Sequence, residues 1–215
     1  METNLSETSK IEKNIKKHKN RLFVVGGGLV FAGFTFFAYK KYDDNQNEKI
    51  NEEITAAVFA LEDKKYSEAI NGTESFVGLK EIASKHGKAK VINLVNYYLG
   101  VAYMKTENFD LAIESFKRIK FKDLIMQSMA HGLIGDSFAE KKDYDAAIIF
   151  YKKAAEEKKN NYTTPMFLLK AAAVAEVKGD IDEALGLYKF VSARYKNYES
   201  SLVKRHIARL ETSLE

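Results

Sequence analysis

Four segments of the chain repeat one pattern: KKYSEAINGTES from Lys64, ENFDLAIESFKRI from Glu107, KDYDAAIIFYKKA from Lys142 and GDIDEALGLYKFV from Gly179. In each, an aromatic residue or Ile is followed three positions later by Ala: Tyr66 and Ala69, Phe109 and Ala112, Tyr144 and Ala147, Ile181 and Ala184. Successive alanines are 43, 35 and 37 residues apart, and in the last three segments a ring follows four residues on, at Phe116, Tyr151 and Tyr188. Spacings of three and four belong to helices. Self-similarity at this period confines the chain to a stack of like units, each burying its apolar face on its neighbours. Composition agrees: 12 Gly and 1 Pro in 215 residues are too few for a turn-rich β protein, and 46% hydrophobic residues allow a sizeable core.

A second match lies upstream of two segments. YYLGVAY places Leu99, Gly100 and Tyr103 before Phe109, and GLIGDSF places Ile134, Gly135 and Phe138 before Tyr144. With these residues the pattern resembles the tetratricopeptide repeat, which implies an all-α solenoid of helix pairs. Glycine on the first helix and alanine on the second are then needed where the helices cross, because a larger side chain would push them apart. The third full repeat departs, with Ala171 and Ala172 for the Leu-Gly pair and Ala175 for the aromatic. The segment at Tyr66 matches in its second helix alone, and INGTESFVGLKEIASKHGKAK is an insertion foreign to the motif. Thr164 and Pro165 suit an N-cap and a first helical position. ESSLVKRHIARLETSLE is expected to be an amphipathic closing helix, with Leu202, Ile207 and Leu210 inward and Lys204, Arg205 and Arg209 outward.

Ahead of the repeats stands RLFVVGGGLVFAGFTFFAYKK, uncharged from Leu22 to Tyr39. As a helix these 18 residues would rise about 27 Å, close to a hydrocarbon core of about 30 Å. Bulky aromatics and lysines stand where a signal peptidase needs small residues, so an uncleaved anchor is expected. Gly26, Gly27 and Gly28 lack the Lys-Ser/Thr pair of a phosphate loop. Gly28, Ala32 and Gly33 could admit a second membrane helix, although glycine is common in such spans without that role. Residues 1–41 hold eight basic and three acidic groups, a net +5, whereas the other 174 hold 26 basic and 27 acidic. A near-neutral body has no footprint for a phosphate backbone, which argues against nucleic acid. Six Lys/Arg flank the span on the N-terminal side and three on the other. By the positive-inside rule the N-terminus stays in the cytoplasm and the body crosses, with Phe36, Phe37, Tyr39 and Tyr42 near the outer interface. The expected organisation is a basic cytoplasmic tail (1–21), a transmembrane helix (22–39), a juxtamembrane linker (40–50) and a solenoid of about four repeats plus a cap (51–215).

No catalytic constellation emerges. His18, His86, His131 and His206 are far apart and in no metal-ligand spacing, and GDSFA around Ser137 lacks the second glycine of a nucleophile elbow. Neither a cofactor, a metal nor a small-molecule substrate is expected. Asn71-Gly72-Thr73 and Asn161-Tyr162-Thr163 match glycosylation sequons, as chance triplets often do. The functional surface is expected instead along the first helices, at Tyr97, Val101, Met104, Asp136, Glu140, Leu169, Ala173 and Glu176. A groove that is apolar and mildly acidic suits an extended or helical protein segment. Some tetratricopeptide domains hold a C-terminal carboxylate with Lys, Arg and Asn there; this groove has at most Lys170, so that clamp is not expected.

A basic tail, one span and a four-repeat solenoid, together with NGTESFVGL, VNYYLGVAY and TTPMFLLKAA, resemble the membrane-anchored tetratricopeptide proteins related to the ancillary subunit of the SecYEG translocon, in the version of Bacteroidetes-like bacteria. The resemblance implies a non-enzymatic periplasmic scaffold on the inner membrane that docks export machinery or periplasmic chaperones. An accessory regulator of another membrane complex, such as one for cell-wall synthesis, and a cytoplasm-facing adaptor are the alternatives.

Overall fold

The computed structural model describes residues 35–37, 40, 41, 45, 48–87, 91–198 and 201–213. The chain divides into two units, Met1–Lys49 and Ile50–Glu215. In the first, the described residues are helical, and Phe36 and Phe37 are exposed. The expected tail, most of the expected span and part of the linker lie outside the described residues. Among the described residues no helix is long and apolar enough to cross a membrane.

Among its described residues, the regular structure of the second unit is all helical apart from one isolated β-bridge. Its helices are α1 (50–62), α2 (Tyr66–Asn71), α3 (Leu79–Lys85), α4 (Ile92–Lys105), α5 (Phe109–Lys117), α6 (Leu124–Glu140), α7 (Tyr144–Glu157), α8 (Thr163–Lys178), α9 (Ile181–Arg194) and α10 (Ser201–Thr212). A 3₁₀ turn, Lys196–Tyr198, precedes α10.

The repeat is written in the backbone as well as the side chains. Lys64, Glu107, Lys142 and Gly179 each take a positive φ, at 62°, 59°, 62° and 88°. After each, an N–H reaches back five residues: Lys65 to Ala60, Asn108 to Tyr103, Asp143 to Phe138 and Asp180 to Ala175, at 2.8–3.0 Å. A left-handed residue of this kind stops a helix and satisfies one of its last carbonyls. Each such turn joins two helices through a connection too short for anything but antiparallel neighbours. The first pair is therefore complete. Helix α1 serves as the first helix of the segment at Tyr66, which the side-chain pattern matched in its second helix alone. Ala57, fully buried, stands where Gly100 stands one repeat on.

At the crossings the small residues face rings. A Cβ on Gly100 would lie 2.5 Å from Phe116, and one on Gly135 would lie 2.7 Å from Tyr151. On the second helices Ala112, Ala147 and Ala184 are fully buried, and on the first helices Leu99, Tyr103 and Ile134 are buried. Phe138 is half-buried and stacks on Phe150 with centroids 5.4 Å apart. Phe138 touches both apolar clusters of the unit, one running from Ile50 to Ile134 and the other from Ala147 to Leu210.

The insertion takes a fold of its own, and two local expectations are corrected. The insertion after α2 folds back through a Gly72–Val77 bridge, and α3 buries Leu79 and Ile82 completely. Gly72 has φ +80°, and a Cβ there would lie 2.5 Å from the Gly78 amide, so the bend needs a residue without a side chain. Helix α8 begins at Thr163, not after Thr164. Asn160 Oδ1 caps it by accepting the Tyr162 and Thr163 amides at 2.7 and 2.8 Å. Thr164 Oγ1 instead donates to the Ala155 carbonyl at 3.1 Å, tying the end of α7 to the start of α8. In α10, Val203 and Leu210 are buried, Ile207 is half-buried and Leu202 is 54% exposed. Val203 takes the inward place that the spacing had given to Leu202, while Ile207 and Leu210 keep theirs.

Candidate protein-binding groove

First helices α4, α6 and α8 carry the expected groove residues, all but Glu140 on one recurring register. Tyr97, Glu140 and Ala173 are exposed, and Val101, Met104, Asp136, Leu169 and Glu176 are half-buried. Stepping 35 and then 37 residues from Leu94 gives Met129 and Met166, a further apolar column on the same helices. Leu94 and Met129 are each 41% exposed. That column was readable from the repeat period but not from any local motif. Leu124, Ile125 and Met126 continue the exposed apolar surface through the first turn of α6.

Two of the three acidic members of the groove, Asp136 and Glu176, are already engaged, while Glu140 is exposed. Asp136 accepts the Tyr151 hydroxyl at 2.7 Å and lies 2.7 and 2.9 Å from Lys170 Nζ, on the next first helix. Burial and this carboxylate together push the Tyr151 phenol well above its usual range. Glu176 pairs with Arg209 of α10 and lies 3.1 Å from His206 Nδ1. Burial alone would raise its pKa, but the Arg209 and His206 bonds outweigh that and hold it below the usual carboxylate value. The His206 ring stacks on Tyr188 at 5.0 Å. Burial, aided by the Glu176 charge, pushes the Tyr188 phenol up to about 12. Helix α10 is therefore held by an ion pair and a stacked ring as well as by Val203 and Leu210. With Asp136 and Glu176 compensated, the groove presents mainly apolar side chains.

Elsewhere the charged groups bind repeats to one another: Asp110 to Lys141, Asp145 to Lys178 and Lys152 to Glu183. His86, His131 and His206 each face one carboxylate, of Glu53, Glu157 and Glu176 respectively. Among the described residues no three or more His, Asp or Glu gather where they could hold a metal ion.

Helix pairs closed by a left-handed turn, with glycines facing rings at the crossings of α4 with α5 and of α6 with α7, define an α-solenoid of helical-hairpin repeats. The model of the tetratricopeptide repeat matches residues 95–119 and 130–161, so the chain carries tetratricopeptide repeats. These modules mediate protein–protein contacts, and the coarse class of the molecule is a repeat scaffold. No curated protein matches the sequence. Among solved structures it is similar to the nearly identical TPR-like repeats of Podosopora anserina, assigned there to a kinesin light chain. The match has a TM-score of 0.59 and 12% identity, covering 77% of this chain and 86% of that one. At that identity the likeness speaks for the fold.

Proposed function

We propose that this protein is a non-enzymatic scaffold of the bacterial inner membrane, anchored by residues 22–39, whose repeats lie in the periplasm and hold a segment of a protein-export component or envelope chaperone. The observation that carries the binding role is the apolar register on α4, α6 and α8, from Leu94, Tyr97 and Met129 to Leu169, beside Asp136 and Glu176, which are already paired. Such a surface suits an amphipathic helix or extended strand presenting apolar anchors. The anchor is supported by the uncharged stretch and by the exposed Phe36 and Phe37 at its end. The periplasmic side is supported by the excess of basic residues before it.

Two experiments test this reading. A photocrosslinking residue at Tyr97 or Met129, in membranes of the native host, should capture translocon subunits or an envelope chaperone, and Met129→Glu should abolish the product. Capture of wall synthases instead would transfer the scaffold to that complex. A reporter active only outside the cytoplasm, fused after Glu215, should be active on an uncleaved chain. An inactive reporter would place the repeats in the cytoplasm and make the protein an adaptor there.

A further inference from the structure

Between α7, α8 and the end of α9 lies a cavity of about 520 Å³, walled by Ala155, Leu168, Leu187 and Phe190. Lys159 and Arg194 stand at its edge and make no ion pair among the described residues. Lys152 also borders it but is paired with Glu183, and Glu156 is the one acid in the lining. Tyr195 closes one side, edge-on to Phe190 at 6.3 Å. Arg194 and Tyr195 also line a neighbouring cavity of about 270 Å³, to which Lys196 adds another cation.

One repeat earlier the same place is filled by the protein itself. Stepping back 37 residues from Leu168, Leu187 and Arg194 gives His131, Phe150 and Glu157. There the Phe150 ring stacks on Phe138 and lies 6.5 Å from His131, and Glu157 Oε2 lies 3.2 Å from His131 Nδ1. That interface thus supplies its own ring and its own carboxylate. In the last repeat leucine replaces the ring and arginine replaces the carboxylate. What remains is an apolar cavity with uncompensated cations at its rim.

We propose that this cavity binds an apolar carboxylate, its hydrocarbon or aromatic body between Leu168, Leu187 and Phe190 and its carboxylate on Arg194 with Lys159. A planar guanidinium matches a carboxylate in two parallel hydrogen bonds. The volume is that of a small-molecule site and too small for a helix. The carboxylate belongs either to a free organic acid or to the last residue of a peptide. None of the lining residues belongs to the groove on α4, α6 and α8, so this site stands apart from the protein-binding reading above.

The test is a methyl NMR titration of the full chain with 4-phenylbutanoate and with acetyl-leucyl-phenylalanine, each against its amide. The acids should shift the Leu168 and Leu187 methyls saturably and bind about tenfold more tightly than the amides. Arg194→Glu, at an exposed position, should weaken the acids at least about tenfold. Leu187→Phe, which restores the ring of the preceding repeat, should remove the shifts while the melting temperature is kept. The tighter of the two acids identifies the source of the carboxylate. Equal binding of acid and amide, an unaltered affinity in Arg194→Glu, or no shift at these methyls up to ~10 mM ligand would overturn the assignment.

Discussion

Lys170 on α8 reaches across to α6 and lies 2.7 and 2.9 Å from the two carboxylate oxygens of Asp136, one repeat back. The Tyr151 hydroxyl donates to the same carboxylate, and the Lys170 ammonium sits 5.7 Å from the Tyr151 ring centroid. A carboxylate on the groove register therefore works inward, locking consecutive helix pairs. Because Lys170 is 41% and Asp136 25% exposed, solvent screening limits the pair to about 0.5–1 kcal/mol. A double-mutant cycle of Asp136→Asn and Lys170→Met, read by urea unfolding, should return a coupling of that size that shrinks in high salt. A coupling of zero would leave the contact without energetic weight.

Glycine at a crossing and glycine on a free surface should respond oppositely to a side chain. Gly100→Leu must displace Phe116, which is 1% exposed, and should cost on the order of 1–3 kcal/mol or more. Ala147→Phe, at a fully buried position, should cost a similar amount. Gly186, inside α9, has no atom within 4 Å of an added Cβ. Gly186→Ala should stabilise the protein by about 0.5–1 kcal/mol through helix propensity alone. Melting of Gly100→Leu at the wild-type temperature would break the proposed register.

The four left-handed turns make a second pair of opposites. Lys142 holds φ 62° with a Cβ, a conformation disfavoured by about 1–2 kcal/mol in L-residues. Lys142→Gly relieves that strain at the cost of a freer unfolded chain, and should gain a few tenths to about 1 kcal/mol. Gly179→Ala, at φ 88°, should lose about 1 kcal/mol. Chemical denaturation of both variants measures the difference directly.

Burial, with a smaller contribution from Lys153 and Lys120, lowers the His131 pKa, against the opposing pull of Glu157. The folded state thus favours the neutral ring, while the unfolded chain takes up a proton near pH 6.5. More protons bound in the unfolded state means that stability falls as pH drops through that value. Glu176, held low, should add a further loss as pH falls below its ordinary 4.5. Thermal melts between pH 7.5 and 5.5 should show the first decline in wild type and a smaller one in His131→Leu, which installs the residue found at Leu168. An equal decline in both would remove His131 as its source.

Much of the architecture was legible because its signals are local. An Ala three residues after an aromatic, with another ring four further on, marks a helix face wherever it occurs, and its recurrence at 35 and 37 residues marks a stack. Helix α1 was harder to find because Ala57 and Ala60 stand in place of the Gly and aromatic of later repeats, and alanine is at home in any helix. The start of α8 was misplaced by two residues because Asn160, outside the helix, took the capping role that Thr164 also suits by type. Leu202 and Val203 are equally apolar neighbours, so composition alone could not decide which of them α10 turns inward.

The sequence by itself determined that the chain is a helical stack and where its hairpins turn, because helical period, small residues at crossings and turn chemistry act within one repeat. The tertiary structure alone decided the partners between repeats. Asp136 meets Lys170, Glu176 meets Arg209, and a cavity opens at Leu187 where Phe150 fills its counterpart. Those outcomes depend on how one hairpin is rotated against the next. A rotation that moves a side chain by a few ångströms exceeds the reach of a hydrogen bond, and no spacing along the chain specifies it.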